Sequence, residues 1–248
     1  MQDTTIRHPV IGPWQAILLF IALWIAVTAF GPLLRAMLGV HPTAPRDIVA
    51  WRAATGLPLS WLALGGTALI LRLRGQGLAD LGFAKRARPW GWIAAAAVVA
   101  FFLWNSVKTP YCRGQCFIDP AQWLSDWSAF RLATSVAIGV TAGICEETMF
   151  RGFVMAQARD GGAPAWAQVL LSGVLFGVAH AGLAGLSGHF VPAAAIGIVA
   201  GTTVFGAVFA LVYLAAGRSL VPLMLAHGLF AFTTEPWMML WGLARTMG

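Results

Sequence analysis

The sequence predicts an all-α, polytopic membrane protein, and three observations carry that reading. Of 248 residues, 59% are hydrophobic and only 10% are charged, whereas soluble globular domains carry roughly 25% charged residues. The apolar residues gather in long runs, close to the ~20 residues a helix needs to cross a bilayer. The short alternating segments that mark an outer-membrane barrel are not found in the sequence.

The runs follow one another with short polar punctuation. Met1 to Pro13 is a polar lead. The first helix is expected over Trp14 to Gly39, with a bend at Gly31-Pro32. It exceeds the about 7–15 apolar residues of a signal peptide and lacks a clear cleavage site, so it reads as a retained anchor. The second, Ile48 to Leu73, contains Pro58, which membrane helices tolerate. Arg72, Arg74, Lys85, Arg86 and Arg88 then form the densest positive connection, which places it in the cytoplasm. Within it, Leu78 to Phe83 reads as an amphipathic turn on the interface.

The third helix, Pro89 to Val107, is flanked by Trp90, Trp92 and Trp104 at belt positions. The loop Lys108 to Asp126 falls outside and holds Cys112 and Cys116, as free thiols or as a local disulfide. The fourth helix, Ser128 to Arg159, is long enough to project beyond the hydrocarbon core. Asp160 to Pro164 is a strong turn. The fifth helix runs from Ala165 to Leu183 and the sixth from Pro192 to Ala216, rich in Gly and Ala and suited to close contact. The seventh, Leu220 to Leu243, is expected to break at Glu235-Pro236. Seven to eight spanning helices, a cytoplasmic N-terminus and a single domain over 1–248 follow. The net charge of +7 lies between apolar runs, where it orients helices. No nucleic-acid motif accompanies it, so the expected partners are the lipid bilayer and a membrane substrate.

The fourth helix carries the chemistry. Glu146, Glu147 and Arg151 lie inside its apolar run, where each charge costs about 3 kcal/mol on insertion scales. Glu147 and Arg151 are i and i+4, in the favourable order for an ion pair. Glu146 lies about 100° round an α-helix from Glu147, so Arg151 neutralises one acid and leaves the other. An acid without its own cation in low dielectric suits general-base work; a structural ion-pair cluster between helices is the plainer reading. Cys145 reads as a small hydrophobe.

Of five histidines, His8, His41 and His189 fall in polar segments, and His180 and His227 fall inside apolar helices. At 1.5 Å per residue, Glu146 stands about 20 Å from the turn after helix four, His180 about 25 Å and His227 about 13 Å from turns on the same side. They share one layer if the seventh helix tilts. Phe176, one turn before His180, reads as a pocket wall or as ordinary packing. A carboxylate and a neutral imidazole can take a proton from water, and a second imidazole can donate to an oxyanion. The same three could ligate zinc, although no His-Glu-x-x-His helix is present. Ser172 and Ser219 have no base at helical spacing.

These residues resemble a known family. Glu146-Glu147-x-x-x-Arg151 is similar to its first motif, Phe176-x-x-x-His180 to its second and His227 to its last; Leu81-Gly82-Phe83 is similar to its lead-in. The family is the CAAX prenyl protease and bacteriocin-processing group of intramembrane endopeptidases, and the resemblance spans about 78–232. It implies that Glu146 and His180 activate water, that His227 stabilises the oxyanion, and that Glu147 and Arg151 orient the site. It implies a glutamate-type enzyme with no cofactor, zinc remaining an alternative. Ala231 stands where the family commonly has Asn; either another group, such as Thr233 or Thr234, supplies that donor, or activity is altered.

The expected function is therefore hydrolysis of a peptide bond in a membrane-associated peptide or protein, at the plasma membrane. Three rivals stand beside it: a non-catalytic membrane binder or immunity protein, a transporter using Glu146 as its ion site, and a zinc hydrolase.

Overall fold

A computed structural model describes residues 9–39, 45–108, 128–185 and 192–247, with side chains over most of them. The described residues are helical, with no strand among them. Among the described residues there are seven long helices: α1 (Pro13–Leu38), α2 (Pro45–Leu73), α3 (Pro89–Lys108), α4 (Ala129–Asp160), α5 (Ala165–Gly185), α6 (Pro192–Ala215) and α7 (Val221–Met247). Four segments among the described residues are long and apolar enough to cross a membrane: Pro13–Leu38, Ala53–Leu73, Ala129–Asp160 and Ile196–Ala215. Pro89–Asn105, Ala165–His180 and Val221–Thr234 are shorter apolar helices. The chain is a multi-pass helical membrane bundle.

Helix α4 is the centre of the bundle. It touches α1, α2, α5, α6 and α7 along its length, and its own side chains from Cys145 to Ala158 are buried almost without a break. It departs from the expected α-geometry. Ala129–Thr141 is α-helical, Ala142–Val154 is π-helical, and Met155–Asp160 returns to α. A π-helix is wider, with i→i+5 bonds, and recurs at functional sites as single turns. Here it extends over 13 residues and contains both glutamates and Arg151, so the 100° step expected between Glu146 and Glu147 does not apply.

Close approach of α7 to α4 depends on glycine. A methyl at Gly143 would lie 2.5 Å from the Met224 carbonyl oxygen, and one at Gly139 would lie 2.7 Å from that of Gly228. Beside this seam Ala231 packs with Ile138 and Ala142. Small residues that let backbones touch are what drives helix association in lipid, where apolar burial adds little.

The basic connection sits at one end of the bundle and is tied down there. Arg74 Nε donates to Gln157 Oε1 at 2.9 Å, Gln157 Nε2 donates to Gln76 Oε1 at 2.7 Å, and Gln76 Nε2 donates to Asp160 Oδ2 at 3.1 Å. The Leu78 to Phe83 stretch contains a short 3₁₀ turn, Leu78–Leu81, with Leu78 and Phe83 exposed and Leu81 turned inward. Leu81 is buried against Gly152 and Leu220. Tyr213 Oη donates to the Leu81 carbonyl at 3.1 Å, and the Leu220 N–H donates to that of Gly82 at 3.3 Å. Gly82 has φ +110°, and a Cβ there would collide with the Arg218 carbonyl, so only glycine serves.

The expected break at Glu235-Pro236 is not seen, α7 running through as one helix, and α1 is likewise continuous across Gly31-Pro32, where a bend was expected. The expectations for His8, His41, Cys112, Cys116 and His189 lie outside the described residues.

Candidate active site

The π-helical part of α4 brings the two acids to different partners. Glu147 and Arg151 are fully buried and paired, Arg151 Nη1 donating to Glu147 Oε1 at 2.9 Å. Arg151 Nη2 donates to the Gly206 carbonyl of α6 at 3.1 Å. Its guanidinium lies over the Phe176 ring at 4.5 Å and near that of Phe209 at 5.6 Å. A cation held between aromatic faces, a carboxylate and a carbonyl offsets part of its desolvation cost.

Glu146 faces the imidazoles instead. Its Oε2 is 4.0 Å from His180 Nε2 on α5 and 3.9 Å from His227 Nε2 on α7. Its side chain keeps 12% of its surface exposed, against none for Glu147. One oxygen and two ring nitrogens from three helices therefore converge on a single point inside the bundle.

Second contacts fix both rings. His180 Nδ1 is 2.8 Å from the Phe176 carbonyl. A carbonyl only accepts, so Nδ1 carries the proton and the neutral ring keeps its lone pair on Nε2, towards Glu146. His227 Nδ1 is 2.7 Å from Glu147 Oε1, the oxygen that also takes Arg151. With Glu147 ionised, Nδ1 donates, and Nε2 is a donor only when both nitrogens are protonated. The sequence reading missed this link between the two motifs. Residue type could not reveal it, because it depends on how far α7 is inserted.

Phe176 walls the site. It is buried, with its ring centroid 4.3 Å from that of His180 and 5.9 Å from that of His227. Phe205 and Phe209 flank His227, each at 5.2 Å. The six residues singled out from the sequence, Glu146, Glu147, Arg151, Phe176, His180 and His227, are thus brought together by α4, α5 and α7.

The hydroxyls expected to replace the missing Asn are directed elsewhere. Thr234 Oγ1 donates to the Phe230 carbonyl at 2.8 Å, and Thr233 Oγ1 to those of Leu229 and Phe230 at 2.9 Å. Ser172 Oγ donates to the Phe150 carbonyl at 3.0 Å. A tetrahedral zinc with about 2.1 Å bonds holds its ligand atoms about 3.4 Å apart; separations of 3.9 and 4.0 Å are wide for that and span a bridging water more readily. Among the described residues no group of three His, Cys, Asp or Glu side chains forms a metal site.

Fold and site together define a multi-pass helical membrane protein with an acid–imidazole centre inside the bundle. Residues 126–233, somewhat less than half of the chain, match the family described as type II CAAX prenyl endopeptidase Rce1-like, and this stretch is similar to that family. The match contains every motif residue and begins after the Leu81-Gly82-Phe83 turn. No curated protein and no solved structure matches the chain.

Proposed function

We propose that the protein is a glutamate-type intramembrane endopeptidase, and that Glu146, His180 and His227 act on one water and one peptide carbonyl. The convergence of Glu146 Oε2 with the two Nε2 atoms at 4.0 and 3.9 Å is the observation that supports it. A water between Glu146 and His180 gives its proton to Glu146 while its oxygen attacks the carbonyl carbon. The resulting oxyanion takes a hydrogen bond from His227 Nε2–H, in the ring form protonated on both nitrogens. The proton on Glu146 then passes to the leaving amine. Glu147 and Arg151 hold His227 in place and do not touch the substrate. Phe176 supplies an apolar wall that limits water.

The substrate is a peptide or protein held at the plasma membrane, with the scissile bond delivered to the bundle interior; a prenyl group is not required by any residue described. No cofactor enters this reading. The decisive comparison is Glu146→Gln, which keeps shape and removes the base. Mass spectrometry of membrane peptides from cells carrying each form should lose the cleavage products in the variant, by about 100-fold or more. Unchanged products in Glu146→Gln would remove the enzyme reading.

Ala231 favours a second reading, a family member that binds membrane peptides without cutting them. It predicts that Glu146→Gln leaves the cellular phenotype and the peptide profile as they are.

A further inference from the structure

The end of the bundle that carries the basic connection holds a group of cations beyond those the fold uses. Three polypeptide segments meet there: the turn after α4, the turn between α6 and α7, and residues 82–88 leading into α3. Arg218 stands in the α6–α7 turn with φ +66°, the one non-glycine residue with positive φ among those described. Its Nη2 donates to Gln168 Oε1 at 2.7 Å, and its guanidinium lies 5.9 Å from the Tyr213 ring. Its Nη1 makes no well-formed hydrogen bond among the described residues; the Tyr213 hydroxyl lies close enough to interact with the guanidinium but donates its own proton to Leu81. Arg88 lays its side chain against Gly217, and its N–H donates to the Ala216 carbonyl at 3.2 Å. Lys85 is exposed on the same side. Partial burial, and after it the nearby charges of Arg159 and Arg218, hold the Lys85 ammonium below the usual lysine range.

The acid present does not balance these cations. Asp160 Oδ1 accepts from Arg159 Nη2 at 2.8 Å, and its Oδ2 accepts from Gln76. Among the described residues, Lys85, Arg88 and Arg218 form no salt bridge with a carboxylate, although Asp160 is near enough to Arg218 to act on it electrostatically. The same end is ringed by indoles. Trp90 and Trp166 are about 70% exposed at the starts of α3 and α5, and Trp14 donates from Nε1 to the Gly161 carbonyl at 3.2 Å. Exposed tryptophans at helix ends mark the headgroup level. A surplus of positive charge at that level, on the side the basic connection marks as cytoplasmic, faces the anionic leaflet.

We propose that Lys85, Arg88, Arg159 and Arg218 form a binding site for the phosphate headgroup of an anionic phospholipid, seated between the α4–α5 and α6–α7 turns. The phosphate oxygens fill the acceptor positions that the protein leaves open, and the acyl chains run down the apolar flank of the bundle. Both turns continue into site helices: α4 carries Glu146 and α7 begins two residues after Ser219. A headgroup clamped there holds the two helices at fixed relative depth. The site stands apart from the proposed catalytic one and does not depend on it.

Native mass spectrometry of the full chain, released from detergent with phosphatidylglycerol or phosphatidylcholine added, tests it. Wild type should retain phosphatidylglycerol preferentially and show a higher Tm with it. Lys85→Gln and Arg159→Gln should each lower that retention roughly fivefold, while Arg86→Gln, an exposed cation outside the group, should leave it intact. Lys85→Gln is a surface change that leaves packing alone, so loss of folding does not confound it. Equal retention of both lipids, or preference kept in both cluster variants, overturns the proposal. So does a Tm rise reproduced by inorganic phosphate alone, which would make the site one for a free anion.

Discussion

His227 Nδ1 and Glu147 Oε1 are joined by a 2.7 Å hydrogen bond, and that bond aims the opposite ring nitrogen at Glu146. The carboxylate nearest to Arg151 is therefore not idle ballast for the arginine. It ties α7 to α4 at the level of the proposed chemistry, so the arginine, the acid and the imidazole form one chain from the Gly206 carbonyl to the reacting point.

The first prediction concerns His227. Replacing it by Gln keeps a donor of similar size but ends the donation from a charged ring. In the proposed mechanism this costs about 100-fold or more in kcat and leaves KM near the wild-type value, because the group acts on the oxyanion and not on the bound substrate. Steady-state kinetics on a membrane peptide separate the two constants. A rise in KM with kcat preserved would contradict the oxyanion role.

Arg151 leads to a stability prediction. Arg151→Met leaves the fully buried Glu147 without its cation, and breaking a buried pair from one side costs about 3–5 kcal/mol. Thermal denaturation in detergent should show a large fall in Tm. Arg151→Lys should recover only part, since an ammonium cannot reach Glu147 and the Gly206 carbonyl as a planar fork does.

Much of this site was legible from sequence because charge in an apolar run is rare and costly. Glu146, Glu147 and Arg151 are visible for that reason, and the i, i+4 pairing of Glu147 with Arg151 is found as expected, though on a π-helical rather than an α-helical winding. His180 and His227 are visible because the remaining histidines fall in polar segments. What sequence could not supply was winding and depth. Nothing in the residue types of Ala142–Val154 announces a π-helix, and the His227–Glu147 bond depends on the insertion of α7. The amphipathic pattern of Leu78 to Phe83 does not reveal that Leu81 is buried; its burial is set by the α6–α7 turn that closes over it. The helix continues through Pro236 for a related reason, since in a bundle neighbouring helices stabilise a proline-containing turn.

Metal removal gives the third prediction. If the carboxylate and imidazoles handle water directly, activity should persist after exhaustive chelation, and added zinc should not raise it. Atomic emission on the purified protein, run beside the same peptide assay, reads both quantities. Activity lost on chelation and restored by stoichiometric zinc would show that the 3.9 and 4.0 Å separations contract around an ion.

The last prediction tests the seam that sets those separations. A methyl at Gly143 would stand 2.5 Å from the Met224 carbonyl oxygen, an approach that backbone cannot yield to without moving α7. Gly143→Ala should therefore push α7 away from α4 and cost about 1–3 kcal/mol of stability. Because Glu146 rides on α4 and His227 on α7, the same shift widens their gap, and kcat should fall by more than the loss of folded protein explains. Gly65, in α2, has nothing within 4 Å of the position its Cβ would take, so Gly65→Ala should be neutral or slightly stabilising. Activity per folded molecule, with the folded fraction taken from size-exclusion profiles, distinguishes the two effects. If Gly143→Ala keeps full specific activity, the close α4–α7 contact is not what holds the acid and the imidazole in register.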